Sequence, residues 1–176
     1  MSDGRCKVIF ATLTSEKSQA AAHLMLASLR AFGGELAQAP CWVFSTDPGA
    51  VSKLEDRHTS LQVLSPTDHS FASYFERKVA ACARAEALAP HGTNAIAWID
   101  QDVIVAQPPL LLKLDAAYDA AFRPVHIRNV GLSPADPLDA FWKGIAGAVG
   151  VPDIPGTVTS FVDDQTLRAY YNSHAF

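Results

Sequence analysis

The chain has 176 residues, 49% of them hydrophobic and 18% charged, enough apolar material for one substantial core and too much for a disordered segment. A formal net charge of -4, with no Lys/Arg run interleaved with aromatics, argues against nucleic acid as a partner. No stretch approaches a membrane span, the N-terminus lacks a signal peptide's apolar core, and Cys6, Cys41 and Cys82 are odd in number and far apart, as expected of buried thiols in the cytoplasm.

In chain order, Val8 to Leu13 reads as a buried first strand, and Ser18 to Phe32 as a helix whose apolar stripe is Leu24, Leu26, Ala27, Ala31 and Phe32, closed by Gly33-Gly34. Cys41 to Phe44 is a second strand ended by the turn Ser45-Thr46-Asp47-Pro48-Gly49, followed by a short helix over Ala50 to Arg57 and a third strand, Leu61 to Leu64. This βαβαβ opening predicts an α/β fold with a mostly parallel sheet and helices on both faces. Ser65 to His69 is a loop. A long helix from about Phe71 to Ala89 should bury Phe71, Tyr74, Phe75, Val79, Cys82 and Ala83. Farther on, Leu110 to Leu112 reads as one helical turn, Asp119 to His126 as a strand, the region from Pro137 or Leu138 to Gly150 as a helix, and Phe161 to Tyr171 as a last helix opened by Asp163-Asp164-Gln165. Trp98 and Trp142 are expected in the core.

The stretch that carries chemistry is Ile96-Ala97-Trp98-Ile99-Asp100-Gln101-Asp102-Val103-Ile104-Val105. Its β-branched and aromatic residues suit a strand covered on both faces, expected at the centre of the sheet. Two carboxylates interrupt it where a lone charge is costly. On an extended segment Asp100 and Asp102 point the same way and Gln101 away. The pair reads either as two hard oxygen ligands for Mg2+ or Mn2+ beside a phosphate-bearing ligand, or as a strand end whose acids meet solvent. Thr12 and Leu13, at the end of the first strand, are placed to line a base pocket, since open α/β sheets bind ligands at the C-terminal ends of their strands. Thr12 serves equally well as a structural hydroxyl.

The first strand and helix, the long helix bearing Tyr74, Arg77 and Lys78, then Trp98-Ile99-Asp100-Gln101-Asp102-Val103-Ile104-Val105 with Pro108 after it, resemble in order and spacing a nucleotide-sugar-dependent glycosyltransferase of the GT-A fold. The similarity is to the glycogenin-like and lipopolysaccharide galactosyltransferase-like group. The resemblance implies a single GT-A-like domain over residues 1–176, its acceptor part abbreviated or incomplete. It implies a UDP-sugar donor, Mn2+ or Mg2+, and an acceptor that is a glycan, lipid or protein. Asp102 is then the direct metal ligand, Asp100 lies by the ribose or metal, and Arg77, Lys78 and Gln101 join Thr12 and Leu13 at the nucleotide. Arg77 and Lys78 fit an ordinary solvated helix face as well. Members of the group carry a metal-ligating histidine near the C-terminus. His126 and His174 are the late histidines here, neither within a recognisable motif. His126 is assigned to the metal or sugar, or to a hydrogen-bonded strand end. Asp164, with Asp163, is assigned to the transferred sugar or acceptor, or to a helix N-terminus. A nucleotide- or sugar-phosphate-binding module without turnover is the rival reading. A nucleotidyltransferase is disfavoured by the lack of a Gly-rich phosphate loop with its lysine after the first strand.

Overall fold

The computed structural model describes residues 7–49, 51–65, 73–114 and 117–176. Cys6, most of the Ser65–His69 loop and Phe71 lie outside the described residues. The chain forms two compact units, one drawn from Met1–Ala121 with His174–Phe176, the other from Phe122–Ser173.

The first unit is built on a four-stranded parallel sheet. Strands β1 (Val8–Leu13), β2 (Cys41–Ser45), β3 (Thr59–Val63) and β4 (Ala95–Trp98) run in the order β3-β2-β1-β4. Helices α1 (Gln19–Phe32) and α2 (Tyr74–Leu88) cover its two faces. Strand alternation shows this directly. Val8, Phe10, Cys41, Val43, Ala97 and Ile99 pack with Ala22, Met25, Leu26 and Leu29 of α1. Ala11, Leu13, Phe44 and Trp98 pack with Ala81 and Ala85 of α2. Every residue of β1 is buried, so this strand forms the floor of both cores. Each large side chain there contributes about 1.5–3 kcal/mol by leaving water. The α/β class with helices on both faces is therefore as the βαβαβ pattern predicts.

The phases of the helices differ from expectation. In α1 the buried stripe is Ala22, Met25, Leu26 and Leu29, an i, i+3, i+4, i+7 set, with Ser28 buried beside it; Leu24 and Phe32 are exposed. In α2, Phe75 and Val79 are 68% and 69% exposed, and the buried positions are Lys78, Ala81 and Ala85. Small residues let this helix approach the sheet closely, and a charged residue holds the interior position. Ser73 caps α2 by accepting from the Glu76 N–H at 3.2 Å. Gly34, at φ +57, takes the left-handed position after α1. The helix expected over Ala50–Arg57 is only a 3-10 turn at Ser52–Leu54, and the turn expected at Leu110–Leu112 is also 3-10.

The acidic strand is neither central nor as long as its apolar run. Strand β4 stops at Trp98 and flanks the parallel strands at one end of their order. On its other side the chain's last residues pair with it antiparallel: Ile99 bridges Ala175, and Trp98 and Phe176 exchange backbone hydrogen bonds. After Asp100 the backbone turns, the Val103 N–H returning to the Asp100 carbonyl at 3.1 Å. The segment beyond is tied to α1 through Ser28, whose hydroxyl accepts from the Val105 N–H at 3.0 Å and donates to the Met25 carbonyl at 2.7 Å. Cys41 is buried and Cys82 half-buried, both as free thiols. Burial pushes them up to about 12 and about 11, which favours the protonated thiol at neutral pH.

The second unit has little sheet. Strand β5 (Arg123–Pro124) pairs antiparallel with β8 (Tyr171–Asn172), and β6 (Thr157–Thr159) with β7 (Thr166–Arg168). Helix α3 (Ala140–Ala148) is capped by Asp139, which accepts from the Trp142 N–H at 2.9 Å, and is followed by Gly150 at φ +72. The helix expected over Phe161–Tyr171 is replaced by the β6–β7 hairpin. Thr157, Val158, Thr159 and Thr166 favour extended backbone, and Asp163-Asp164-Gln165 lies in the loop from 160 to 165 that joins the strands. Asp164 is left-handed at φ +50, and the Ser160 N–H meets the Gln165 carbonyl at 2.9 Å. The strand expected over Asp119–His126 shrinks to β5. Among the described residues, no helix is long and apolar enough to cross a membrane.

Candidate metal centre

The site lies where the strand order reverses. From β1 the chain crosses through α1 to β2 on one side, and α2 later delivers β4 to the other side of β1. In open parallel sheets the crevice at such a switch point, beyond the C-terminal strand ends, is where ligands bind. Asp100 follows β4 immediately at that end.

Asp100 is an interior carboxylate, its side chain 7% exposed. Its Oδ1 accepts three hydrogen bonds, from Trp98 Nε1 at 2.6 Å, Lys78 Nζ at 2.8 Å and the Tyr74 hydroxyl at 3.0 Å. A buried charge needs such partners. Lys78 also lies over the ring of Trp98 at 5.2 Å and that of Phe176 at 5.5 Å. Burial, and then the charge of Asp100, push the Tyr74 phenol upward, so it stays a donor in neutral and acidic solution. Asp100 Oδ2 faces outward and meets His174 Nδ1 at 3.1 Å, while Asp102 Oδ1 is 3.9 Å from the same nitrogen. Asp102 and His174 are 65% and 59% exposed along their side chains. One ligand atom from each of Asp100, Asp102 and His174 falls within 4.8 Å of the others. Two carboxylate oxygens and an imidazole nitrogen fit a divalent ion that accepts mixed O/N donors, and the nitrogen favours Mn2+ over Mg2+.

The two carboxylates thus converge, but through the turn after Asp100 rather than strand alternation. His174 arrives by backbone pairing: its carbonyl accepts from the Asp100 N–H at 2.8 Å, beside the Ile99–Ala175 bridge. Nothing local in the sequence marks it. The one available signal was that it is a late histidine followed by a short apolar end. His126 belongs to the second unit, its Nδ1 3.3 Å from Asn172 Nδ2 and its ring edge-on to Phe161. Asp164 lies in that unit too, in the hairpin turn. Lys78 pairs with Asp100 in the interior, which overturns the alternative of a solvated helix face. Arg77 is half-buried, and its Nε has no hydrogen-bond partner among the described residues. Leu13 packs in the α2-side core, and Thr12 is fully buried. The Thr12 hydroxyl and the buried Oε1 of Gln101, in the turn, have no hydrogen-bond partner among the described residues. Trp98 is buried in the core, as expected.

No protein-family model and no curated protein matches the chain. Among solved structures it is similar to the mannosyltransferase Ktr4p from S. cerevisiae, with 8% identity and a TM-score of 0.34, over 56% of this chain and 33% of that one. The matched part is thus about a third of that enzyme's length, and a likeness at this level carries no argument about chemistry.

Proposed function

We propose that the chain is a divalent-cation-dependent glycosyltransferase that takes its sugar from a nucleotide-sugar donor. The observation that carries this reading is the O/O/N group of Asp100, Asp102 and His174 at the switch point of a parallel sheet. Asp100 Oδ2, Asp102 Oδ1 and the His174 imidazole would hold the ion. When bound, the ion neutralises the charge that builds on a departing diphosphate, without proton transfer. The chain's own contribution is to fix two of these donors on paired backbone, so that little reorganisation accompanies binding. Arg77, on the same helix as Lys78, is the other cation that the family resemblance assigns to a diphosphate. UDP as the first nucleotide to try rests on the family resemblance, as do the expectations of a glycan, lipid or protein acceptor. The withdrawal of Lys78 into the pair with Asp100 removes one cation from the leaving group and favours the second reading, a nucleotide-sugar-binding module without turnover.

Thermal unfolding with UDP and Mn2+ tests both. A ligand at a hundredfold excess over its Kd stabilises the folded state by about 2.7 kcal/mol, and each kcal/mol moves Tm by about 2–4 °C in a domain of this size. Mn2+ with UDP should therefore raise Tm by several degrees. UDP with EDTA should do much less, and Asp102→Asn, which keeps size and removes charge, should abolish the metal-dependent part while leaving the unliganded Tm within about 2 °C, as for exposed substitutions. No shift in folded wild type rejects both readings. A shift without hydrolysis or transfer across a panel of UDP-sugars selects the binding module.

A further inference from the structure

The two oxygens of Asp100 live in different surroundings. A carboxylate oxygen offers about two lone-pair directions, and Oδ1 already receives three donors, from Trp98, Lys78 and Tyr74. The carboxylate is almost wholly buried, so water cannot replace a donor that leaves. Oδ2 has no donor from α2 and turns toward His174 and the exposed Asp102.

We infer that Tyr74, Lys78 and Trp98 are positioning residues that fix Asp100 in one-oxygen coordination, reserving Oδ2 for the cation. The inference rests on the metal-dependent reading above and assigns α2 a task that reading does not contain. Bidentate coordination by Asp100 would strip a charged hydrogen bond from a site closed to solvent, at greater cost than an ordinary one. The lock also extends to the third ligand. Lys78 lies over the ring of Phe176 as well as that of Trp98, and those two rings stack at 6.2 Å and 13°. Phe176 is two residues from His174 on the segment paired with Trp98 and Asp100. The ammonium that holds Oδ1 therefore also helps seat the segment that supplies the imidazole.

Two effects compete when Lys78 is removed. Loss of its positive charge makes the site more negative and favours a cation. Loss of its hydrogen bond frees Asp100 to rotate, and disfavours one. Outer hydrogen-bond partners of metal ligands are typically worth about 10–100-fold in metal affinity, so position should win. The test is Mn2+ alone, without nucleotide, titrated into the full chain and read by the electron paramagnetic resonance of free Mn2+. Lys78→Met should weaken Mn2+ binding by about 10–100-fold. Tyr74→Phe removes one hydroxyl, keeps the ion pair, and should weaken binding by several fold. It carries the test alone if Lys78→Met does not fold. Val79→Ala, on the exposed face of the same helix, should leave the Mn2+ affinity unchanged. Equal or tighter Mn2+ binding by folded Tyr74→Phe and Lys78→Met overturns the inference while the metal reading stands. Failure of the wild type itself to bind Mn2+ overturns both, and is read in a different sample.

Discussion

The two units reach stability by different routes. In the first, β1 is buried along its whole length and divides two apolar cores, one closed by Met25, Leu26 and Leu29 of α1 and the other by the small residues Ala81 and Ala85 of α2. In the second, the buried apolar side chains among the described residues are few, namely Val125, Ala146 and Leu167, and polar ties take over. Arg168 donates to the Pro134 and Asp136 carbonyls at 3.2 and 2.9 Å and pairs with Asp153 at 2.8 Å. Trp142 donates to the Val130 carbonyl at 2.6 Å while meeting Phe141 and Tyr170 edge-on. Where burial dominates, alternation along the strands dictates the structure. Where single polar contacts dominate, the same composition can be read as helix or hairpin until those contacts are seen.

Substitutions sharpen this contrast. The largest effect is expected for Phe44→Ala, which empties a fully buried site in the α2-side core and should cost about 3–5 kcal/mol in chemical denaturation. Leu167→Ala, at the best buried apolar side chain of the second unit, should cost about 2–5 kcal/mol. Its signature differs: hydrogen exchange should accelerate first in β6, β7 and β8 while β1 and β2 stay protected. Equal loss of protection throughout would show that the two units unfold together. Phe161→Ala, at an exposed ring beside Arg123 and His126, should stay within about 1 kcal/mol.

Acid should separate the units by a smaller effect. The Ser160 hydroxyl, hydrogen-bonded to the Asp163 carboxylate, holds that carboxyl below its usual range, with the Arg128 N–H assisting. In the first unit, burial alone would raise Asp56, but the His58 N–H at 2.7 Å, the Thr59 hydroxyl and the charge of Arg30 together bring it down. A depressed carboxyl contributes stability that is fully present above its unfolded pKa of about 3.9 and is lost as pH falls through the lower folded value. Below pH 4, amide protection should therefore drop at the β6–β7 turn, where little core supports it. The strand pair β2–β3, backed by two cores, should keep its protection. Unchanged protection of the hairpin down to pH 2 would mean that Asp163 does not hold the turn.

Much of the first unit was legible because its signals are local. The boundaries of β1 and the presence of α1, β2 and α2 follow from short apolar runs, caps and breakers, and Asp100 and Asp102 stand out as charges inside an apolar run. The helix phases were not legible: Phe75 and Val79 look like core residues by hydrophobicity, yet Ala81 and Ala85 pack because close approach to the sheet favours small side chains. The turn at Asp163-Asp164-Gln165 was misread because acids that open a helix also suit a left-handed turn position.

By itself, the sequence determined a parallel α/β sheet and an acidic pair at the end of a strand, since periodicity and the cost of burying charge act over a few residues. Only the tertiary structure decided that Lys78 turns inward to Asp100 and that His174 joins the carboxylates. Both depend on the pairing of Trp98–Asp100 with His174–Phe176, whose backbone hydrogen bonds join segments more than 70 residues apart in the chain, beyond the reach of any local pattern.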